Sequence, residues 1–239
     1  MKTNLNLIMV AALLLLSPLA VHPQVKGNPK QAIPATNENK LNAGQRNVFS
    51  GSGGLTTGEA VLEGTEGNIY FGSEWPKGII NLRDGSTITE RGLRYDIYAD
   101  QMQMTDGKDT LALAKPEEIN SLSFDGHTFI YQSYECSGLV KQGYFELLVT
   151  GKSELLLKRS VSFHIEGNGD GKEKYLITEC YFLKKGESPA IKIMCSKKSA
   201  LEVFSEHRDE IERYMKETGR KVKTPEDLKV LVEYYNSLE

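Results

Sequence analysis

The sequence predicts an α+β protein: an antiparallel β meander, closed as a sandwich, a rolled sheet or an open barrel, followed by a C-terminal αα-hairpin. Three observations predict it. Apolar residues alternate with polar ones over short runs between Gly58 and Cys195. Asp-Gly and other Gly-rich breaks separate those runs at hairpin distance. Two stretches of helical period with strong start signals close the chain.

The meander is read run by run. Ile80-Asn81-Leu82 is followed by Asp84-Gly85. Leu93, Tyr95 and Ile97 alternate with polar residues, and so do Met102 and Met104, with Asp106-Gly107 after them. Phe124 precedes Asp125-Gly126; His127, Phe129 and Tyr131 then share one face. Val161, Phe163 and Ile165 alternate with Ser160, Ser162 and His164. Period-two alternation marks half-buried strands. The breaks are too short for crossover helices, so neighbouring strands should be antiparallel.

The helical end covers residues 196–239. Ser199-Ala200-Leu201-Glu202 fits a capping box, and Leu201, Phe204, Ile211 and Met215 fall on one face. Gly219 suits a left-handed stop. Thr224-Pro225-Glu226-Asp227 is a second start, with Thr as cap, Pro at the first position and acids in the first turn. Leu228, Leu231, Tyr235 and Leu238 follow at spacings of three, four and three. Such a stripe packs on the sheet or docks a partner; Leu228, Leu231 and Tyr235 are the candidate partner-binding residues.

Residues 1–24 predict export. Lys2 is the lone charge before Lys26, an apolar stretch runs from Leu5 to Leu16, and small residues follow near Ala20. That is the build of a secretory signal peptide, cleaved near Ala20 or Gln24. The stretch is shorter than the roughly 20 residues that span a bilayer, so the mature protein is expected in the periplasm, on the outer surface or in the medium. Residues 25–57, rich in Asn, Gly, Gln, Lys, Pro and Ser, read as a flexible linker. With 29 Lys+Arg against 32 Asp+Glu the net charge is −3. That argues against the clustered excess of positive charge a nucleic-acid partner needs.

Several blocks are similar to a known group. Trp75-Pro76-Lys77-Gly78-Ile79-Ile80-Asn81-Leu82-Arg83-Asp84-Gly85, then Leu93-Arg94-Tyr95-Asp96, Gly143-Tyr144-Phe145-Glu146-Leu147-Leu148, and the ending Glu226-Asp227-Leu228 with Tyr234-Tyr235-Asn236-Ser237-Leu238 resemble a family of exported proteins from Gram-negative bacteria whose function is unassigned. The resemblance runs over most of the chain after Gly67. It implies an envelope or secreted location and carries over no site residues.

Candidate chemistry is sparse. Glu166-Gly167-Asn168-Gly169-Asp170-Gly171 begins like a calcium loop, with oxygen ligands Glu166, Asn168 and Asp170 at alternate positions and Gly at the sixth. The twelfth position is Ile177, where a bidentate Glu belongs, so a Gly-rich hairpin loop competes with the metal reading. A turn centred near Glu187-Ser188 would set Cys180 opposite Cys195, a candidate disulfide in an oxidising compartment; two free thiols are the alternative. Cys136 is left over and would need a nearby base to act as a nucleophile. His127, His164 and His207 lack metal-ligand spacing. Asp84, Asp96, Asp100, Asp106 and Asp109 crowd one region, where Asp is favoured at turns but where a carboxylate pair could also hydrolyse a polymer. Trp75, Tyr95, Tyr98, Tyr131, Tyr134 and Tyr144 are strand builders or a binding face. No phosphate loop, dinucleotide fingerprint or nucleophile elbow occurs, so no cofactor is expected. The leading expectation is a non-enzymatic envelope protein that binds a protein partner. A hydrolase of envelope or extracellular polymers and a small apolar ligand binder are the alternatives.

Overall fold

Twelve strands form one antiparallel sheet, ordered β1-β6-β5-β4-β3-β7-β8-β9-β10-β11-β12, with β2 paired to β4 off this path. The computed structural model describes residues 49–51, 68–72, 74–105, 107, 109–165 and 173–238. The expected signal peptide, most of the expected linker, Asp106 and the loop bearing Glu166, Asn168 and Asp170 lie outside the described residues.

The strands are β1 (Phe49–Gly51), β2 (Tyr70–Phe71), β3 (Lys77–Leu82), β4 (Thr87–Asp96), β5 (Gln101–Thr105), β6 (Thr110–Leu113), β7 (Ile119–Phe124), β8 (His127–Cys136), β9 (Leu139–Val149), β10 (Ser153–Ile165), β11 (Glu173–Lys185) and β12 (Ile191–Ile193). The sheet curls into a half-barrel, and helices follow it. Both parts of the expected α+β class are therefore present. Asp125 (φ 50°) and Gly126 (φ 77°) make the two-residue β7–β8 turn, where both central residues need positive φ. One link breaks the meander. After β6 a 3-10 turn (Pro116–Glu118) carries the chain back so that β7 pairs with β3, which becomes central.

One correction falls at the start. Residues 49–51, inside the expected linker, form an edge strand, with Phe49 opposite Leu113. Three residues beside Gly carry no readable period; their pairing depends on β6, which is distant in sequence.

Three apolar clusters pack on the sheet. Tyr95, Met102, Phe124, Phe129 and Tyr144 form one together with β3 and β4 residues. On the same face of β8–β11, Val149, Leu155, Leu183 and Ile193 meet the helices, while Ile130, Phe145, Leu156 and Phe182 cluster on the opposite face. Among the described residues the C-terminal end has three helices where two were expected: α1 (Lys197–Val203), α2 (Arg208–Thr218) and α3 (Pro225–Leu238). The cap of α1 is Ser196, whose hydroxyl accepts from Ser199 N–H at 3.2 Å, three residues ahead of the expected start. The Ser199 hydroxyl instead accepts from Met194 N–H. A 3-10 turn (Ser205–His207) separates α1 from α2. Gly219 ends α2 in the left-handed conformation (φ 65°). Thr224 caps α3, and the Asp227 carboxylate accepts from Lys223 and Thr224 N–H.

Candidate functional site

β9 and β10 pair over three residues of β10 alone, Leu155 to Leu157, with a bulge inside that stretch. Beyond it, β9 stays paired to β8 as far as Leu139, and β10 stays paired to β11 as far as Ile165. The two hairpins diverge and leave a seam. In an antiparallel strand the N–H and C=O of one residue point to one side and those of the next residue to the other. Tyr144 directs both groups into the seam, so by alternation Gln142 and Val140 do the same. Leu157 pairs with Glu146, so Arg159 and Val161 face the seam from β10. Among the described residues no strand pairs with these edges.

An ion pair closes the inner end of the seam. Tyr144 N–H donates to Asp100 Oδ1 at 3.3 Å, and Lys158 Nζ donates to Tyr144 C=O at 3.3 Å. Lys158 Nζ also donates to Asp100 Oδ2 at 2.8 Å. Asp100 reaches across from the β4–β5 turn in a left-handed conformation (φ 49°), and Tyr95 Oη donates to it at 2.6 Å. Tyr95 is buried; burial first and Asp100 second hold its hydroxyl far above the usual range, so it remains a donor. The Lys158 ammonium lies over the rings of Phe145 (5.2 Å) and Tyr134 (5.4 Å). Gly143 lies beneath this plug: a Cβ there would meet Asp100 and come within 2.6 Å of Lys158 Nζ, so the two side-chain ends would have to move aside.

Above the plug is a cleft of about 390 Å³, lined among others by Tyr134, Cys136, Lys158, Cys180, Phe182 and Lys192. Its floor is a small closed barrel. Ala190, just before β12, bonds Ser133 C=O and Glu135 N–H of β8, both at 2.9 Å. β8 to β12 thereby close around Ile130, Phe145, Leu156 and Phe182. Leu139 and Val140 at the tip of one hairpin are each 63 % exposed, and Leu176 on the other is 57 % exposed.

A second polar row sits on the concave side. Glu146 accepts from His127 Nδ1 at 2.6 Å, and Arg159 Nη1 is 2.7 Å from its other oxygen, a charge contact rather than an aligned hydrogen bond. Burial pushes the Glu146 carboxyl up, but His127 and Arg159 outweigh it and hold it below the ordinary range. Arg159 continues to Glu179 (3.1 Å) and lies under the Phe71 ring (4.6 Å). The row ties β8, β9, β10 and β11 together and fixes β2 above them.

The sequence candidates fall as follows. Leu228, Leu231 and Tyr235 are buried against the sheet, so they are core and not a docking face. All three Cys are free thiols. The Cys180–Cys195 bridge fails on register: Tyr181 pairs with Ile193, so Cys180 stands opposite Met194. A slip of one residue reverses the face; Cys180 joins the small barrel and Cys195 the helical layer. Cys136 and His127 lie at opposite ends of β8, and Glu146 holds the His, so these two do not form a thiol–base pair. Asp84 accepts from Ser86 N–H, and buried Asp96 from Ala99 N–H. With Asp100 in the plug, these carboxylates do not converge. Trp75 and Tyr70 stack on the Arg94 guanidinium at 4.1 and 3.7 Å. Tyr95 and Tyr144 are core, while Tyr134 lines the cleft. Sequence reasoning missed Lys158 and Glu146. The available signal was Lys158-Arg159 directly after the apolar run Leu155-Leu156-Leu157.

No known protein family, curated protein or solved structure matches this chain. Among the described residues no helix is long and apolar enough to cross a membrane.

Proposed function

We propose that this is an exported, non-enzymatic binding protein whose seam takes up an extended segment of a partner protein. The observation that carries the reading is the pair of open strand edges. Unpaired N–H and C=O groups in a row recruit another strand, and main-chain bonds then supply affinity while side-chain pockets supply specificity. Alternate residues of such a guest would face the cleft. An apolar side chain would lie against the packed rings of Tyr134 and Phe182, and an acidic one would meet Lys192, for which no ion-pair partner exists among the described residues. Against hydrolysis stands the separate engagement of Asp84, Asp96 and Asp100.

The test is Gln142→Pro. Its N–H faces the seam, so the substitution leaves the β8–β9 ladder intact and removes one donor from the open edge. A tagged copy should capture one partner in near-stoichiometric amount from native cells after mild cross-linking. Gln142→Pro should lose that partner while melting at the same temperature. Equal capture by wild type and variant would refute docking at the seam. Lys141→Pro is the control, because its N–H points toward β8 and its loss should destabilise the fold. A small apolar ligand is the second reading, favoured by the size of the cleft, which lies in the usual range for such sites. It predicts binding that tolerates Gln142→Pro and fails in Phe182→Ala.

A further inference from the structure

The helical end carries a cleft of its own, about 460 Å³, between the start of α1 and the α2–α3 loop. Its floor is Cys195, Met215 and Val222, and its rim is Lys197, Lys216, Arg220, Lys221 and Lys223. We propose that this cleft docks the protein on anionic phospholipid headgroups at a membrane surface.

Charge is the first argument. The lining holds one carboxylate, Glu212, and Lys197 lies 3.5 Å from it. Arg220 is in the field of Asp227, but that carboxylate is already held by the N–H groups of Lys223 and Thr224. Lys216, Lys221 and Lys223 have no ion-pair partner among the described residues. The C-terminal end of α2 attracts cations in its last turn, which explains Lys216, and Arg220 follows just past that end. It does not explain Lys223 or Lys197, which belong to other elements. In a chain of net charge −3, such a concentration of positive charge suits an anionic surface.

The floor is the second argument. It offers aliphatic and sulfur atoms, and no aromatic ring lines the cleft. Sugars are usually gripped on aromatic faces, so a glycan fits poorly. Basic side chains clustered on a surface attract the phosphates of anionic lipids.

The test uses protein expressed with its leader and purified after export. It is sedimented with vesicles of phosphatidylcholine alone, or of two parts phosphatidylcholine to one part phosphatidylglycerol. Binding should occur on the anionic vesicles and weaken steeply as salt rises. The variant Lys216→Gln/Lys221→Gln/Lys223→Gln should melt like wild type. Its partition should fall on the order of a hundredfold, at roughly fivefold per lost charge. Equal binding to both vesicle types, or an unaffected triple variant, would overturn the proposal. So would stoichiometric binding of inorganic phosphate without vesicle binding, which would mark a site for a soluble phosphate. Gln142→Pro should bind vesicles like wild type, which separates this inference from the fate of the seam.

Discussion

The β10–β11 hairpin has one end sealed and the other open, and the strand sequence alone does not explain the contrast. At the sealed end Leu155 and Leu183 are fully buried beneath Leu228, Leu231, Val232 and Tyr235. At the open end Leu176 and Ile177, just as apolar, are exposed. The sealed end is also locked by polar contacts. Lys185 Nζ donates to Val203 C=O at 2.8 Å and pairs with Glu206, which accepts in turn from Tyr235 Oη. Asn236 clamps the β9–β10 turn through Ser153 N–H and C=O, both at 2.9 Å. The open end has a charged plug and then unpaired backbone. In this hairpin helices thus decide which apolar strand residues become core, and at the end without a helix such residues stay exposed.

Substitutions can break that contrast at either end. Leu231→Ala should cost the most, about 2–5 kcal/mol, because it opens a cavity under α3; urea unfolding measures it. Asn236→Ala should cost about 1–3 kcal/mol by leaving the buried Ser153 backbone groups unpaired. Gly143→Ala should cost about 1–2 kcal/mol, since its Cβ drives the plug off Tyr144. It should also speed hydrogen exchange at the Tyr144 amide.

Acid should act on the sealed end. Burial raises the Glu206 carboxyl, but the hydrogen bonds from Lys185 and Tyr235 outweigh it and bring it from 4.5 down to about 2. The folded value is the lower one, so this stabilisation is complete above about pH 4.5. It is lost as the pH falls toward 2. Glu206→Gln should flatten the stability profile over that window and leave it unchanged near neutrality apart from a constant offset. Leu176→Ala at the open end should be the smallest change, within about 0.5 kcal/mol. A cost there as large as that of Leu231→Ala would erase the contrast.

Local chemistry was legible in the sequence. Asp125-Gly126 dictates its own turn, Thr224 its own cap, and the alternation through Leu93 and Tyr95 its own strand, because each depends on neighbours in the chain. The plug was not legible. Asp100 and Lys158 are 58 residues apart, and nothing near either one specifies the other. The Cys180–Cys195 reading failed for a narrower reason: the turn from Lys185 to Ala190 sets the register, and one residue of error there moves a side chain to the opposite face. Leu228, Leu231 and Tyr235 were found as a stripe, but a stripe does not say whether its cover is the chain's own sheet or another protein.

The Asp100–Lys158 pair has one more effect, because it occupies the hydrogen-bonding groups of Tyr144. On the proposed reading, a strand entering the seam would pair along Val140 and Gln142 and stop before Tyr144. At about 3.3 Å per residue the run from Val140 to Gly143 is roughly 13 Å long. The plug would then set the length of the visiting segment, and a longer one would have to turn outward where it meets the ammonium.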